Sequence, residues 1–493
     1  MGGGNAPVES GPGRCRRLDG RAHPAASRTR SAVVTTKQAA ADGSTGERVA
    51  ARAPAIGRPV RAAGVRLGLL GGPSVFGVTA AGVALPDVGR ALAAGPASTG
   101  WVLTVHALAL GMGTAVFGRL ADARGVRFSL SAGGALLALG MAVCLGAPDL
   151  GVLVAGRFVA AAGSGAMISG ALALAVATDP ARRARVLGEF GGTMAVFGAG
   201  ATLVGGVVTE WIGWRATLVL PALSLPVIGL CLPLVRRTGA GSRRAVDAVG
   251  AGLVAVTATT LLVLIQSPTL SLSTPTVVAL GLAAALALGT LMGWTLRRPH
   301  GFVPRALVGD RTIVLTAVMG IGVFGALFSV MYAAPQLLVR QYGWSVLQVG
   351  AALLPGGLIG FVLARRAVGP RGRGLFAVTA VLASAGLLTV GLISGAFVIV
   401  VAASLCIVAF AVSQVVTTGR VATLVDPAVR GGAVGLLNQV YFVGGGMSAA
   451  AVGSLSTTMD PAHALALVAL LPPLAAGAAL WPTAANGRVD SGG

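Results

Sequence analysis

The amino-acid sequence predicts an all-α protein that crosses a lipid bilayer many times. Of its 493 residues, 55% are apolar, only 11% are Asp, Glu, Lys or Arg, and the mean hydropathy is +0.84. A soluble domain of this size would lack the polar residues that cover a surface in water. The apolar residues also form continuous runs of about 20 residues, the length of a spanning helix, rather than the alternating strands of a membrane barrel.

Fourteen apolar runs predict fourteen membrane-spanning helices. In chain order they are 67–86, 99–117, 128–147, 151–176, 186–208, 213–235, 247–266, 274–296, 311–333, 344–364, 374–393, 396–418, 431–456 and 463–482. Two longer polar segments, 236–247 and 297–311, divide these spans into groups of six, two and six. Two six-helix groups are the layout of a transporter built from repeats, whose substrate site lies between the halves.

The prediction divides the chain into five regions. They are a disordered basic cytoplasmic arm (1–65), a first six-helix half (66–235), a linker with two extra central spans (236–310), a second six-helix half (311–482) and a cytoplasmic tail (483–493). The arm is rich in Gly, Ala, Pro, Ser and Arg and has no apolar periodicity. Because it is basic, it could contact anionic lipid headgroups, or it could be a dispensable extension.

The net charge of +22 follows the predicted topology rather than indicating a nucleic-acid partner. With a cytoplasmic N-terminus, the cytoplasmic loops and the tail contain 21 arginines, whereas the opposite loops contain only Arg90, Arg215 and Arg340. This asymmetry is the positive-inside rule, which predicts that both termini are cytoplasmic. We therefore expect a multi-pass protein of the plasma membrane, and we expect a monomer.

The sequence carries no pattern that is typical of an enzyme or of a bound cofactor. Cys144, Cys231 and Cys406 fall inside apolar runs at no metal-ligand or disulfide spacing. The sequence contains no nucleotide-binding loop, and no nucleophile lies beside a base at a usable spacing. We therefore expect no catalysis, no metal, no cofactor and no use of ATP.

The charged stretch GRLADARGVRFSL (118–130) lies in the predicted cytoplasmic loop between spans 2 and 3. Gly118 and Gly125 bracket a tight connection, and Asp122 precedes span 3, where a carboxylate can cap the free N–H groups of a helix. Arg127 lies within reach of Asp122. These residues predict a charged latch that holds the two halves in one state and opens in another.

This stretch resembles the loop signature of the major facilitator superfamily, Gly-x-Leu-Ala-Asp-x-x-Gly-x-Arg/Lys. The matching residues are Gly118, Leu120, Ala121, Asp122, Gly125 and Arg127. The resemblance covers residues 66–482 and implies the major facilitator fold, in which two six-helix halves work by alternating access, here with two extra central helices. It also implies that Gly118, Asp122, Gly125 and Arg127 form the cytoplasmic gate.

Two further stretches are similar to the fourteen-helix drug/proton antiporter branch of that superfamily. Span 1 keeps Thr79 and the VALP sequence (83–86) of Asp-x-Thr-x-x-Asn-Val-Ala-Leu-Pro, with Gly77 and Gly82 in place of the Asp and the Asn. Span 5 keeps the glycine pair (205–206) that ends the antiporter signature but lacks its proline. The branch implies export of drug-like molecules in exchange for protons.

Three residues are the candidates for proton coupling. Arg157 lies inside span 4, in LVAGRFVAAAGSGAM (153–167), which is similar to a family motif whose arginine is tied to proton coupling. An arginine there is costly to insert and usually faces a cavity, although it could instead extend to the outer headgroups. His106 in span 2 and Glu189 in span 5 could carry the proton, and burial beside Arg157 or His106 could tune Glu189. Both could instead be structural, His106 as a neutral hydrogen-bonding group and Glu189 at a helix N-terminus.

Uncharged polar residues within the apolar spans predict the substrate cavity. They are Thr79, Tyr332, Gln336, Gln414, Asn438 and Gln439. Hydrogen-bonding groups in apolar walls suit an amphiphilic and largely neutral ligand. Each residue could instead form a hydrogen bond between helices.

Together these patterns predict a secondary transporter that exports a hydrophobic or amphiphilic small molecule, a drug or secondary metabolite, in exchange for protons. Two alternatives remain open. An uptake or facilitated-diffusion carrier of the same fold is favoured by the missing proline in span 5 and the missing carboxylate in span 1. A non-transporting membrane sensor or scaffold is disfavoured by Arg157, because a scaffold has no need of a charge inside a span.

Overall fold

The computed structural model describes residues 57–235, 246–267, 270–369, 371–426, 430–456 and 458–481, which are helical and contain no strand. The first group of helices is α1 (Gly57–Gly71), α2 (Thr79–Ala91), α3 (Pro96–Arg124), α4 (Val126–Gly146), α5 (Leu150–Val176), α6 (Pro180–Trp211), α7 (Trp214–Leu218) and α8 (Ser224–Val235). A central pair, α9 (Ala248–Ile265) and α10 (Thr274–Arg297), and the short α11 (Arg305–Gly309) follow. The last group is α12 (Arg311–Tyr342), α13 (Val346–Arg366), α14 (Gly372–Leu392), α15 (Ala396–Leu424), α16 (Arg430–Leu455), α17 (Pro461–Leu467) and α18 (Leu471–Leu480).

Several predicted regions lie partly outside the described residues. These are residues 1–56 of the arm, residues 236–245 of the first linker and the tail from 482 onward. The first described helix begins at Gly57, ahead of the predicted boundary at residue 66.

Among the described residues, twelve helices are long and apolar enough to cross a membrane, so the chain is a multi-pass membrane protein. Two predicted spans are not among them. The sixth (213–235) is divided into α7, a 3₁₀ turn and α8, because Pro221 has no N–H with which to continue the helix. The thirteenth is one long helix, α16, whose polar Asn438 and Gln439 and many glycines lower its hydropathy. The count of fourteen spans therefore stays a prediction.

Aspartates define where several helices begin. Each of five carboxylates accepts a hydrogen bond from a backbone N–H in the first turn of the helix that follows, which satisfies a donor that the helix itself leaves free. These residues are Asp149, Asp179, Asp247, Asp310 and Asp460. Because these acids serve as local caps, few acids are left to act between the two halves.

Three pairs of helices carry most of the contact between the halves. Helix α3 of the first half packs along α16, and α6 packs along α13 and α15. Within each half, α3 and α4 pack on α5, and α14 packs on α15. The two halves therefore meet along two seams, and the space between these seams is the place for a ligand.

The central pair covers one of these seams. Helix α9 packs against α3 and α16 through Leu262 and Ala258, whereas α10 packs mainly on α9 and is mostly exposed. The segment after α10 inserts Phe302, which is buried against Ala115 and Leu436. Arg119 fixes this segment by donating hydrogen bonds to the backbone oxygens of Gly301 and Phe302.

Asp247 holds the other side of the same segment. Its carboxylate accepts hydrogen bonds from the backbone N–H groups of Gly250 and Phe302 and from the indole N–H of Trp294, at 2.9–3.0 Å. Burial alone would raise the pKa of Asp247, but these bonds and the nearby Arg298 outweigh burial and hold that pKa below its usual value. The central pair is thus attached to the bundle at one end by a charged and hydrogen-bonded anchor.

Candidate functional site

A cavity of about 820 Å³ lies between the two halves. Its walls are mostly apolar and include residues of α2, α3, α6, α12, α15 and α16, together with Leu262 and Gln266 at the end of α9. The charged residues that line it are Arg90 and Arg340, and no carboxylate of the described residues does so. Such a cavity is large enough for a drug-sized molecule and suits an apolar body with a few hydrogen-bonding groups.

The residues that line the cavity reach one end of the bundle and not the other. We name the end at which α2 ends and α3 begins the outer end, and the end at which α3 and α13 end the inner end. Arg90 and Arg340, the residues at the mouth, belong to the outer end, whereas the deepest lining residues are Leu110, Met194 and Phe410. No described residue of the inner end lines the cavity.

Three of the six predicted cavity residues line this space. They are Thr79, Tyr332 and Gln336, and the side-chain amide of Gln336 donates a hydrogen bond to the backbone oxygen of Tyr332 at 3.0 Å. Sequence reasoning missed Gln266, whose side chain donates to the hydroxyl of Thr104 at 3.0 Å. Both line the cavity. A polar Gln266 at the end of the apolar run 247–266 was the available signal, but nothing in the sequence placed α9 beside the cavity.

The other three, Gln414, Asn438 and Gln439, do not line this cavity. They are buried one helical turn farther toward the inner end than the lining residues Phe410 and Phe442. In this state the seams between the halves are closed at that level, so the packing of neighbouring helices covers the three side chains.

Arg157 is fully buried and does not extend to the surface. Its guanidinium donates hydrogen bonds to the backbone oxygens of Gly77, of Leu218 at 3.1 Å and of Val102 at 3.4 Å. Gly77 and Leu218 lie where the helices of spans 1 and 6 are interrupted, which leaves carbonyl groups without a helical partner. Arg157 therefore ties together the breaks of two discontinuous spans.

His106 lies in the space beside Gly77. The imidazole is fully buried, and neither of its ring nitrogens has a hydrogen-bond partner among the described residues. A Cβ added at Gly77 would collide with Nε2 of His106, so the glycine is what makes room for the ring. The position at which the sequence lacks the expected carboxylate is thus filled by a histidine from the next span, close to Arg157.

Glu189 lies beside neither Arg157 nor His106, contrary to the arrangement considered from the sequence. It packs against α1 and α13, and its carboxylate lies 3.0 Å from Nε of Arg365, in the second half. Its side chain is 3% exposed and that of Arg365 is 35% exposed. We name this ion pair the Glu189 clamp, because it joins α6 to α13 at the inner end.

Asp122 joins the other seam at the inner end. Its carboxylate accepts hydrogen bonds from the backbone N–H groups of Gly431 and Gly432, the latter a short contact, at the start of α16. It therefore caps a helix of the opposite half rather than the following helix α4, and the positive end of α16 favours the negative charge. We name this contact the Asp122 clamp.

The remaining residues of the predicted gate have different places. Gly118 lies against α16, where an added Cβ would be 2.7 Å from the backbone oxygen of Gly431. Gly125 makes the tight connection between α3 and α4 with φ +90°, which favours glycine. Arg127 is exposed, and the described residues include no ion pair between it and Asp122. The position of Arg127 on α4 directs it to solvent, and Arg119 is the arginine near Asp122.

Curated proteins of antibiotic resistance and export are similar to parts of this chain. A puromycin resistance protein of Streptomyces alboniger is 38% identical over 34% of this chain and 34% of its own length. A lincomycin resistance protein of Streptomyces lincolnensis is 28% identical over 57% of this chain and 59% of its own length. A cephamycin export protein of Amycolatopsis lactamdurans is 35% identical over 34% of this chain and 35% of its own length. The matched regions thus span between a third and three fifths of these relatives.

Solved structures share the fold at low sequence identity. The human organic anion transporter MFSD10 matches 85% of this chain and 98% of its own chain, with a TM-score of 0.59 and 15% identity. The proton:xylose symporter XylE matches 85% of this chain and 94% of its own, with a TM-score of 0.58 and 12% identity. The family model of the Major Facilitator Superfamily matches residues 67–449. The two helical groups that enclose a central cavity and the signature residues of the stretch 118–130 are consistent with this match. The chain belongs to the Major Facilitator Superfamily of transporters.

Proposed function

We propose that this transporter exports hydrophobic or amphiphilic small molecules in exchange for protons, by alternating access. The observation that carries the proposal is a mostly apolar cavity between the halves that is open at the outer end and closed at the inner end by two clamps. The named functions of the relatives, resistance to puromycin and lincomycin and export of a cephamycin, support export as the direction. The substrate class is then a drug or secondary metabolite with an apolar body.

The outer end corresponds to the cell exterior in the proposed topology. Both termini are cytoplasmic, the two predicted spans outside the group of twelve also cross the plasma membrane, and the protein acts as a monomer. The described state is then the one that releases substrate to the outside. Opening of the Asp122 and Glu189 clamps, with closure at the outer end, exposes the site to the cytoplasm.

His106 is the proposed proton carrier, with Arg157 as its electrostatic partner. The imidazole is fully buried beside Gly77, whose backbone oxygen accepts a hydrogen bond from Arg157, so the two groups meet at the same break in span 1. Movement of α3 relative to α5 would separate the two groups and allow the ring to take up a proton. We assign Glu189 to the clamp at the inner end rather than to proton carriage, since its partner is Arg365.

Inside-out vesicles with an acidified lumen and a lumenal pH dye test this proposal. The compounds to add are puromycin, lincomycin, a cephamycin and a set of lipophilic cations, neutral molecules and anions. We expect at least one of them to release lumenal protons with the intact protein and not with His106→Gln. The exposed His463→Gln is the matched control and should behave as the intact protein does.

The second candidate is a facilitated-diffusion or uptake carrier, favoured by Gly77 in span 1 and by the absence of a carboxylate from the described cavity lining. Substrate equilibration that ignores pH and is unchanged by His106→Gln would support this candidate and contradict proton exchange. A compound that binds but never crosses the vesicle membrane would contradict transport itself.

A further inference from the structure

Three amide side chains are buried just inside the closed end of the cavity. Gln414, Asn438 and Gln439, which we name the amide layer, are 1%, 2% and 4% exposed. Among the described residues, both amide atoms of Gln414 and the side-chain oxygens of Asn438 and Gln439 have no hydrogen-bond partner. Within the described part of the chain, the amide nitrogen of Asn438 donates a hydrogen bond to the backbone oxygen of Val434 at 3.0 Å.

The amide layer lies between the cavity and the two clamps. On α16, the chain passes from the Asp122 clamp at Gly431 and Gly432 through Asn438 and Gln439 to Phe442, which lines the cavity. On α15, Gln414 follows the lining residue Phe410 by one turn. The layer therefore begins where the cavity stops.

The layer also lies on the seams that must separate if the inner end opens. A Cβ added at Gly191 of α6 would be 3.7 Å from Cβ of Gln414, so this glutamine faces the first half. The backbone of Gln439 lies against Gly111 of α3, on the other seam. Rigid-body separation of the halves at the inner end would uncover both positions.

A buried amide without a partner opposes the state that buries it, because it has given up hydrogen bonds to water without replacement. The closed inner end carries this cost at several atoms. The Asp122 and Glu189 clamps supply the opposing attraction. A buried polar group without a partner calls for an explanation, and use of the group in the other state supplies one.

We infer that the amide layer is the polar wall of the cavity in the state that is open at the inner end. This inference rests on alternating access within the proposed function. Amides both donate and accept hydrogen bonds and carry no charge, so the layer offers contacts for hydroxyl, carbonyl and amide groups on an apolar molecule. Thr79, Tyr332, Gln336 and Gln266 serve the state open at the outer end, and the amide layer serves the state open at the inner end.

Side-specific labelling tests the inference without knowledge of the substrate. Gln414→Cys, Gln439→Cys and Gln336→Cys are made singly in a background from which the four native cysteines are removed. Inside-out and right-side-out vesicles are treated with a membrane-impermeant maleimide. We expect the two amide-layer cysteines to react at least about tenfold faster from one side, and Gln336→Cys from the other. Ala402→Cys, buried on α15 against Gly386 within the second half, is the control that should react from neither side.

The inference is overturned if the amide-layer cysteines react from the same side as Gln336→Cys, or no faster than Ala402→Cys from either side. A failure of proton-linked export with the expected labelling pattern would instead contradict the proposed function alone, since labelling needs neither protons nor substrate.

Thermal unfolding of the purified protein provides a second readout. Gln414→Leu replaces the unpartnered amide by an apolar group of similar size and should raise Tm by about 2 °C, because the closed state no longer buries an unsatisfied amide. Gln336→Leu, at the open end, should leave Tm unchanged. A lower Tm for Gln414→Leu would mean that the amide is satisfied in the closed state and would contradict the inference.

Discussion

The Asp122 clamp and the Glu189 clamp join the two seams of the inner end, and the carboxylate has a different kind of partner in each. Asp122 and Arg365 both lie near the inner ends of corresponding helices, α3 and α13, and each contacts a helix of the other half. Asp122 needs no partner side chain, because it binds backbone N–H groups at the start of α16. The corresponding stretch of the second half, 365–373, contains no acid. Arg365 lies there instead and forms its ion pair with Glu189 of α6.

In both clamps the first half supplies the acid and the second half supplies the positive group. Asp122 and Glu189 belong to the first half, and the groups that attract them belong to the second. The Asp122 clamp combines two charge-assisted hydrogen bonds with a helix N-terminus. In the Glu189 clamp, Oε1 has a cationic neighbour but no well-aligned hydrogen bond, and the arginine is partly exposed. We therefore expect the Asp122 clamp to be the stronger one.

The largest expected effect comes from Asp122→Asn. The amide keeps one acceptor oxygen but loses the charge, at a cost of about 1.5–3 kcal/mol to the closed inner end. The population open at the inner end should rise about tenfold to a hundredfold. The measurement is maleimide labelling of Gln439→Cys from the inner side. Arg127→Gln is the matched control and should leave labelling unchanged, because Arg127 is exposed. Equal labelling of Gln439→Cys alone, with Asp122→Asn and with Arg127→Gln would contradict a gating role for Asp122.

Arg365→Gln should have the next largest effect. It leaves the buried carboxylate of Glu189 without a countercharge, but partial exposure of Arg365 to solvent reduces the cost to about 1 kcal/mol. Labelling of Gln414→Cys from the inner side should then increase about fivefold. The double variant Glu189→Arg with Arg365→Glu restores the pair and should return labelling toward the original level. If the double variant labels faster than Arg365→Gln alone, the pair does not act as a clamp.

Substitution of one glycine on each seam by alanine should have smaller effects on labelling and tests which clamp is stronger. A Cβ at Gly118 would lie 2.7 Å from the backbone oxygen of Gly431, whereas a Cβ at Gly188 would lie 3.1 Å from Cα of Arg365. Gly118→Ala should therefore open the inner end severalfold, and Gly188→Ala should have a weaker effect. Inner-side labelling of the amide layer measures both, and a larger effect of Gly188→Ala would contradict the order of the clamps.

The smallest expected effect concerns the anchor of the central pair, and it depends on pH. The pKa of Asp247 is held below its ordinary value in the folded protein, so its carboxylate stabilises the fold fully above an unfolded pKa of about 4. This contribution is lost as pH falls through the lowered folded pKa. The Tm of Asp247→Asn should be a few degrees below that of the intact protein at pH 7, and the two should converge as the pH is lowered below about 4. A difference in Tm between the two proteins that is independent of pH would contradict a stabilising role for the Asp247 carboxylate.

Local patterns in the sequence predicted much of the architecture. Apolar runs of spanning length predicted the long helices, because a helix in lipid must satisfy its backbone internally and be apolar along most of its length. The signature in the stretch 118–130 was also recognisable, since its glycines and its acid are close in sequence. The prediction treated spans 1 and 6 as continuous because both are apolar along their length, although Pro73 and Pro221 lie at the breaks that the structure shows.

The partners of the functional residues were decided only by tertiary structure. Glu189 meets Arg365, and His106 meets Gly77, across helices whose contacts no local pattern records. The same holds for the division between Gln336, which lines the open cavity, and Gln414, which is covered in this state. The sequence by itself determined which polar groups lie within the apolar spans. Which of them are satisfied, exposed or paired depends on how the two halves are packed against each other, and that packing joins residues far apart along the chain.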